Sequence, residues 1–234
     1  MAFEILAYEQ TDLGLLCLRR RNLVSQPDMT VTEVTLNHEF LMSSYLTESE
    51  RALTTMGLDR IATESNEKSV LVGGLGLGYT AYEALKSDRV SRVDVVEFLP
   101  AVIGWVKDDL IPLAGQLKSD NRLNIMEGDI YLRLTSPATD QFDLVVIDVD
   151  HSPEDVLGGQ SHGFYSEDGL RRARNHLYPG GVLGVWSYAE DSPLRTNMQK
   201  VFANVDVEPV TVWNDLINVE QTDWLFFGRR EGNQ

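Results

Sequence analysis

"SVLVGGLGLGYTAYEAL", residues 69–85, passes from an apolar run through a glycine cluster into a helical pattern. Read locally it is a strand, a tight turn and a helix start, with Gly73, Gly74, Gly76 and Gly78 at the turn. Glycines accept positive φ and let a backbone approach a ligand closely, and the helix that follows offers free N–H groups. The spacing Gly76-x-Gly78-x-x-Ala81 also fits the dinucleotide fingerprint, so a nicotinamide cofactor and an adenosyl group are both open at this point. A turn without any ligand is the plain alternative.

Working outward, residues 69–73, 92–97, 122–126, 142–148 and 181–186 read as buried strands. Helical stretches at 79–87, 99–110, 166–177 and 192–203 lie between most of them. Alternating β and α elements of this kind imply a mainly parallel sheet covered on both faces. "VEPVTVW" and "TDWLFFGRR" follow with no helix between them and predict an antiparallel hairpin at the sheet's end. Residues 1–45 read as short strands broken by turn signals, followed by a helix in "SYLTESERALTTMGL", capped by Thr47 or Ser49 and ended by Gly57. The expectation is an α/β, Rossmann-like, seven-stranded mainly parallel sheet with a small β-rich N-terminal extension. The division falls at 1–60 and 61–230.

Twenty Lys plus Arg against thirty-six Asp plus Glu leave a net charge of −16 over 234 residues. Such a surface repels phosphate backbones, so a nucleic-acid partner is not expected, while a small cation is attracted. The same acidity also serves solubility alone. No apolar stretch approaches the roughly 20 residues of a membrane span, and "MAFEILAYEQ" lacks the pattern of a secretory signal. Cys17 is the single cysteine, which leaves no intramolecular disulfide and favours the cytoplasm.

In open parallel sheets ligands bind beyond the carboxyl ends of the strands, which directs attention to polar residues there. Glu97 ends the second strand of this unit and is placed to accept from ribose hydroxyls; a solvated strand end is its duller reading. Asp129, after the third, is placed either to accept from an adenine amine, with the Ile130 amide donating to the ring, or to cap the helix that begins "IYLRL". Asp148 ends "FDLVVID", with Asp150, His151, Glu154 and Asp155 close behind. Acids at a sheet mouth bind an amine and accept its proton, and crowding raises a carboxyl pKa. The Asp, Asp, His spacing matches no metal motif, and a solvated acidic loop is the alternative.

The glycine turn, Glu97, Gly128-Asp129, Asp148 and "FYSEDGLRRARNHLYPGGVL" (164–183) together make region 69–188 resemble the polyamine aminopropyltransferases, the spermidine synthase family, within the S-adenosylmethionine-dependent methyltransferase fold. The resemblance implies that Gly74, Gly76 and Gly78 hold the methionine-derived part of S-adenosylmethionine or its decarboxylated form, Glu97 the ribose and Asp129 the adenine. It implies Asp148 as the base, with Asp150 and His151 as helpers, a small amine as acceptor, and a homodimer. Two positions depart from the family pattern. Leu77 stands where the family has an Asp that holds the donor's charged end, and His151 replaces a second acid. Aminopropyl transfer is thus the leading expectation, with methyl transfer and a non-catalytic adenosyl-binding relative as alternatives. Tyr45, Tyr165 and Trp186 are candidate walls of the acceptor pocket, or plain core.

Overall fold

Four short strands with polar turns open the chain as an antiparallel meander: β1 (Phe3–Thr11), β2 (Gly14–Asn22), β3 (Thr30–Leu36) and β4 (Glu39–Ser43). This is seen in a computed structural model that describes residues 3–63, 65–149, 161–190 and 192–232. Asn37 and His38, both at positive φ (51° and 72°), make the two-residue link between β3 and β4, whose twist suits a hairpin. Helix α1 (Glu48–Asp59) follows.

The second sheet is built by β5 (Lys68–Gly73), α2 (Tyr79–Leu85), β6 (Val90–Glu97), α3 (Pro100–Lys107), α4 (Ala114–Ser119), β7 (Leu123–Glu127), α5 (Ile130–Thr135), β8 (Phe142–Ile147), α6 (Glu167–Arg174), β9 (Leu177–Ser187), α7 (Pro193–Gln199), β10 (Asn204–Asn214) and β11 (Val219–Arg229). Its order is β10-β11-β9-β8-β5-β6-β7, parallel from β9 to β7, with β11 and β10 antiparallel at the edge. The expected seven-stranded sheet and terminal hairpin are both present.

Strand geometry sends successive side chains to opposite faces, and the core divides accordingly. Val70, Val72, Leu144 and Val146 join the cluster that includes α1, α2, α3 and the N-terminal sheet. Leu71, Val145 and Ile147 join the cluster under α5, α6 and α7. Leu16, Leu18 and Val34 of the meander belong to the first cluster, so the N-terminal sheet lies on the α1 side of the large sheet. No helix among the described residues is long and apolar enough to cross a membrane.

Several local expectations need correction. Gly57 does not end α1 but is buried within it, because the helix rests on β8 there: a Cβ would lie 2.7 Å from Leu144 Cδ1. Thr47 is the N-cap of α1 but makes no side-chain capping bond. The helix expected over 166–177 stops at Arg174, and β9 begins at Leu177 rather than 181, running through Pro179 and Gly180 (φ 85°). The stretch 99–110 is helical only to Lys107, beyond which Asp109 takes a φ of 59°. Helix α4 had no counterpart in the sequence pattern.

Candidate active site

The chain builds β6 and β7 on one side of β5 and then returns to place β8 on the other. That reversal makes the carboxyl end of β5 the switch point of the sheet, where a crevice opens between diverging loops. The glycine turn occupies this point. Gly74, Gly76 and Gly78 all have positive φ (89°, 50° and 88°), a backbone course that only glycine follows without strain. Space demands glycine as well. A Cβ on Gly74 would lie 2.5 Å from the carbonyl oxygen of Asp148, and one on Gly78 2.5 Å from Leu117 Cδ1.

On the β6 and β7 side, the carboxylates are already engaged by the backbone. Glu97 is buried, accepting from the Leu75 amide through Oε2 (2.8 Å) and the Leu99 amide through Oε1 (2.8 Å). Burial pushes its pKa up, and hydrogen bonds from the amides of Leu99, Leu75, Gly76 and Phe98 act in the opposite direction. Glu97 thereby ties the glycine turn to the end of β6. Asp129 caps α5, its Oδ1 accepting from Tyr131 N (2.8 Å) and Leu132 N (3.1 Å). Its Oδ2 faces His162 Nε2 at 2.9 Å. The capping reading of Asp129 is therefore realised in the structure. Ile130 is buried against the turn, its Cγ1 lying 2.6 Å from where a Cβ on Gly73 would stand.

The β8 side is different. A cavity of about 990 Å³ opens between the large sheet and the N-terminal sheet. Gly76, Gly78 and Asp148 line it, whereas Gly74, Glu97, Asp129 and Ile130 do not. Asp148 Oδ2 accepts from Thr80 Oγ1 at 2.5 Å. Burial raises its pKa to about 6 despite that bond, and the Asp223 charge adds to the rise. Asp150 and His151 fall outside the described residues, as do Glu154 and Asp155.

Of the further acids that line the cavity, Glu50 from the first turn of α1 and Asp223 from β11 interact with Asp148. Burial and then the Asp148 charge push Glu50 up to about 8, against the opposing bond from the Ser49 hydroxyl. Ser49 Oγ donates to Glu50 Oε2 at 3.2 Å. Asp223 is also raised by burial, with Ser49 and Trp186 acting in the opposite direction. Trp186 Nε1 is near enough to favour the Asp223 anion, yet it is buried without a hydrogen bond of normal geometry. Among the described residues, no lysine or arginine pairs with Glu50, Asp148 or Asp223, and no three acids, histidines or cysteines are arranged to hold a metal.

Aromatic side chains complete the walls. Tyr45, Tyr79, Trp186 and Tyr188 line the cavity. Arg51 lies over the Tyr79 ring, 4.9 Å from its centroid, and pairs with Glu83 at 3.0 Å, which steadies that wall. Tyr165 takes the plain-core alternative: it packs in the opposite cluster, its hydroxyl 2.8 Å from that of Tyr131. Leu77 lines the cavity and is buried in the apolar core. Glu50 and Asp223 were invisible to strand-end reasoning, because neither follows a parallel strand in the sequence. A weak signal existed in Asp223, a lone acid within the apolar run "TDWLFF".

Residues 48–212 match the Spermine/spermidine synthase domain. The chain is 28% identical over 162 residues to a polyamine aminopropyltransferase of Prochlorococcus marinus (strain AS9601), covering 69% of this chain and 52% of that protein. It is 33% identical over 121 residues to the polyamine aminopropyltransferase of Thermoanaerobacter sp. (strain X514), covering 52% of this chain and 41% of the relative. The chain thus spans about half the length of these curated relatives. The fold resembles the crystal structure of spermidine synthase from Thermotoga maritima, with a TM-score of 0.72 at 16% identity, covering 98% of this chain and 73% of that one. It also resembles a spermidine synthase in complex with the transition state analogue AdoDATO, with a TM-score of 0.72 at 17% identity and the same coverage.

Proposed function

Because the chain belongs to the spermine/spermidine synthase family, we propose that it transfers an aminopropyl group from decarboxylated S-adenosylmethionine to a small amine bound in the acidic cavity. The observation that carries this reading is that three carboxyls, Glu50, Asp148 and Asp223, line one cavity beside the glycine turn with no lysine or arginine paired to them among the described residues. A sulfonium donor supplies an electrophilic carbon, so the protein must align a nucleophile with it and take up a proton.

The residues present fit an adenosyl group. The glycine turn leaves a side-chain-free surface at the switch point, and Glu97 sits at the end of the neighbouring strand, where a ribose is met. In this reading Glu97 holds both the turn and the ribose. The adenine amine takes the place of His162 Nε2 at Asp129 Oδ2, and the Ile130 amide donates to the ring. Aromatic walls and acids on the other side of the turn receive an alkylammonium, which they attract through ring faces and charge.

Asp148 is the base of this reading. Its pKa of about 6 leaves it largely ionised at neutral pH, yet more basic than an ordinary aspartate. The amine nitrogen forms its bond to the donor carbon as the carbon–sulfur bond breaks, the bonding pair stays on sulfur, and the proton lost by nitrogen passes to Asp148. Thr80 fixes which carboxylate oxygen is free for that task, by occupying Oδ2. Asp150 and His151 remain the proposed helpers, the acceptor a small molecule, and the assembly a homodimer.

One observation favours methyl transfer from S-adenosylmethionine instead. Leu77 puts a buried apolar side chain at the turn position where the resemblance calls for an acid to hold the aminopropyl amine. Incubating the purified chain with each donor labelled in the transferable carbons, together with a panel of amines, decides between them. Label from the propyl chain in the product supports the proposal. Label only from the methyl group replaces it with methyl transfer.

A further inference from the structure

The cavity is not acidic throughout. Its wall on the N-terminal sheet is made in part by Arg19 and Arg21 of β2, with Glu33 of β3 between them. Arg19 and Arg21 are two residues apart on one strand and so share a face, and Glu33 lies directly opposite Arg19 in the sheet register. Arg19 approaches Glu33 Oε2 with Nε and Nη2, both at 2.9 Å. Arg21 approaches Oε1 with Nε at 2.8 Å and Nη2 at 2.6 Å. Each guanidinium therefore spends one edge on the shared carboxylate, and among the described residues neither Nη1 takes part in a hydrogen bond.

One buried carboxylate holding two guanidiniums leaves a net positive charge and two donor groups on the cavity wall. Glu33 is saturated on both oxygens and only 5% exposed, so it cannot neutralise a second cation. Arg20, between them, faces the other way toward the Leu110 carbonyl. A ligand with cationic groups at both ends would be attracted to the acids and repelled from this wall. A carboxylate answers it, since guanidinium N–H groups match carboxylate oxygens in geometry and charge.

We propose that Arg19 and Arg21 form a carboxylate subsite, so that one of the two molecules meeting in this cavity carries a carboxylate. This deepens the transferase reading and rests on it for the identity of those molecules. The carboxylate has two sources, an amino-acid acceptor or, in the methyl-transfer reading, S-adenosylmethionine itself, and two ligand pairs distinguish them. Butane-1,4-diamine and ornithine differ by one carboxylate, as do decarboxylated S-adenosylhomocysteine and S-adenosylhomocysteine.

Calorimetry on the full chain measures all four. The carboxylated member of one pair is expected to bind about tenfold or more tightly than its decarboxylated partner, in line with charge-assisted bonds. The pair that shows the preference identifies the source. Arg19→Gln with Arg21→Gln removes the preference, read as the ratio of affinities within each pair. Arg21→Lys, which keeps the charge, retains part of it. Equal or tighter binding of the decarboxylated member in both pairs overturns the subsite, and this comparison needs no variant. So does a preference that survives the double substitution. Label transfer run alongside separates the two readings: transfer without preference refutes the subsite alone, and preference without transfer supports the subsite while refuting the transferase. Binding of none of the four refutes both.

Discussion

The two sides of the glycine turn hold the same chemistry in opposite conditions. On the β6 and β7 side, Glu97 and Asp129 are met by backbone amides of their own neighbourhood, Leu75 and Leu99 for one, Tyr131 and Leu132 for the other. On the β8 side, Glu50, Asp148 and Asp223 come from three separate elements and, among the described residues, pair with no lysine or arginine; the Asp223 charge raises the pKa of the other two, and the Asp148 charge adds to the rise of Glu50. Carboxylates held by local amides position the chain. Carboxylates crowded without a paired cation favour the approach of one.

The sharpest way to break this contrast is at Asp148. Asp148→Asn should lower turnover by about 10²–10⁴-fold, the usual weight of a proton acceptor, while calorimetric binding of S-adenosylhomocysteine stays near that of the parent chain. Full activity in the variant would remove the β8 side from the chemistry. Next in size is Glu97→Gln. Replacing one of the two oxygens that the Leu75 and Leu99 amides meet with an NH2 group leaves one amide facing a donor, and should weaken adenosyl binding by about 10–100-fold and lower thermal stability as well. Unchanged binding would show that the β6 side holds no ligand.

The pH response tests the β8 side without any ligand. Glu50 and Asp148 have folded pKa values above their ordinary ones, so their protonated forms suit the fold. Their contribution is present at low pH and is lost as pH rises through about 6 and about 8. The ligand-free chain should therefore melt at a lower temperature at pH 9 than at pH 6. Glu50→Gln should flatten that slope, each kcal/mol corresponding to about 2–4 °C in a chain of this size. A slope unaltered by the substitution would place the titration elsewhere.

Two smaller effects test the scaffold. Gly57→Ala should destabilise by about 1–3 kcal/mol through overpacking against Leu144, although alanine favours helix, as denaturant unfolding would show. Asp129→Asn should leave stability within about 0.5 kcal/mol, because asparagine caps a helix as well as aspartate. A larger loss would mean that the His162 contact, and not the cap, is what Asp129 contributes to the fold.

What could be read from the chain follows the same division. Strand, turn and helix around residues 69–85 were legible because hydrophobic period and glycine placement act over a few residues. Glu97, Asp129 and Asp148 were legible because they follow apolar strands directly, and the sheet's carboxyl edge is a fixed place for ligands. The role of Gly57 was misread because its conformation obeys the helix, while its lack of a side chain answers to Leu144 on a distant strand. Whether Tyr165 walls the pocket or packs in the core was open for the same reason, since only packing sends it to the Tyr131 side of the sheet.

The sequence by itself determined the alternating architecture, the switch-point turn and the acids at the strand ends, all consequences of short-range pattern. Tertiary structure alone decided which carboxyls share a cavity. Glu50, Asp148 and Asp223 are brought together by α1, β8 and β11, and Arg19, Arg21 and Glu33 by two strands of another sheet. Charges interact through space, and no local pattern records which remote segments will meet.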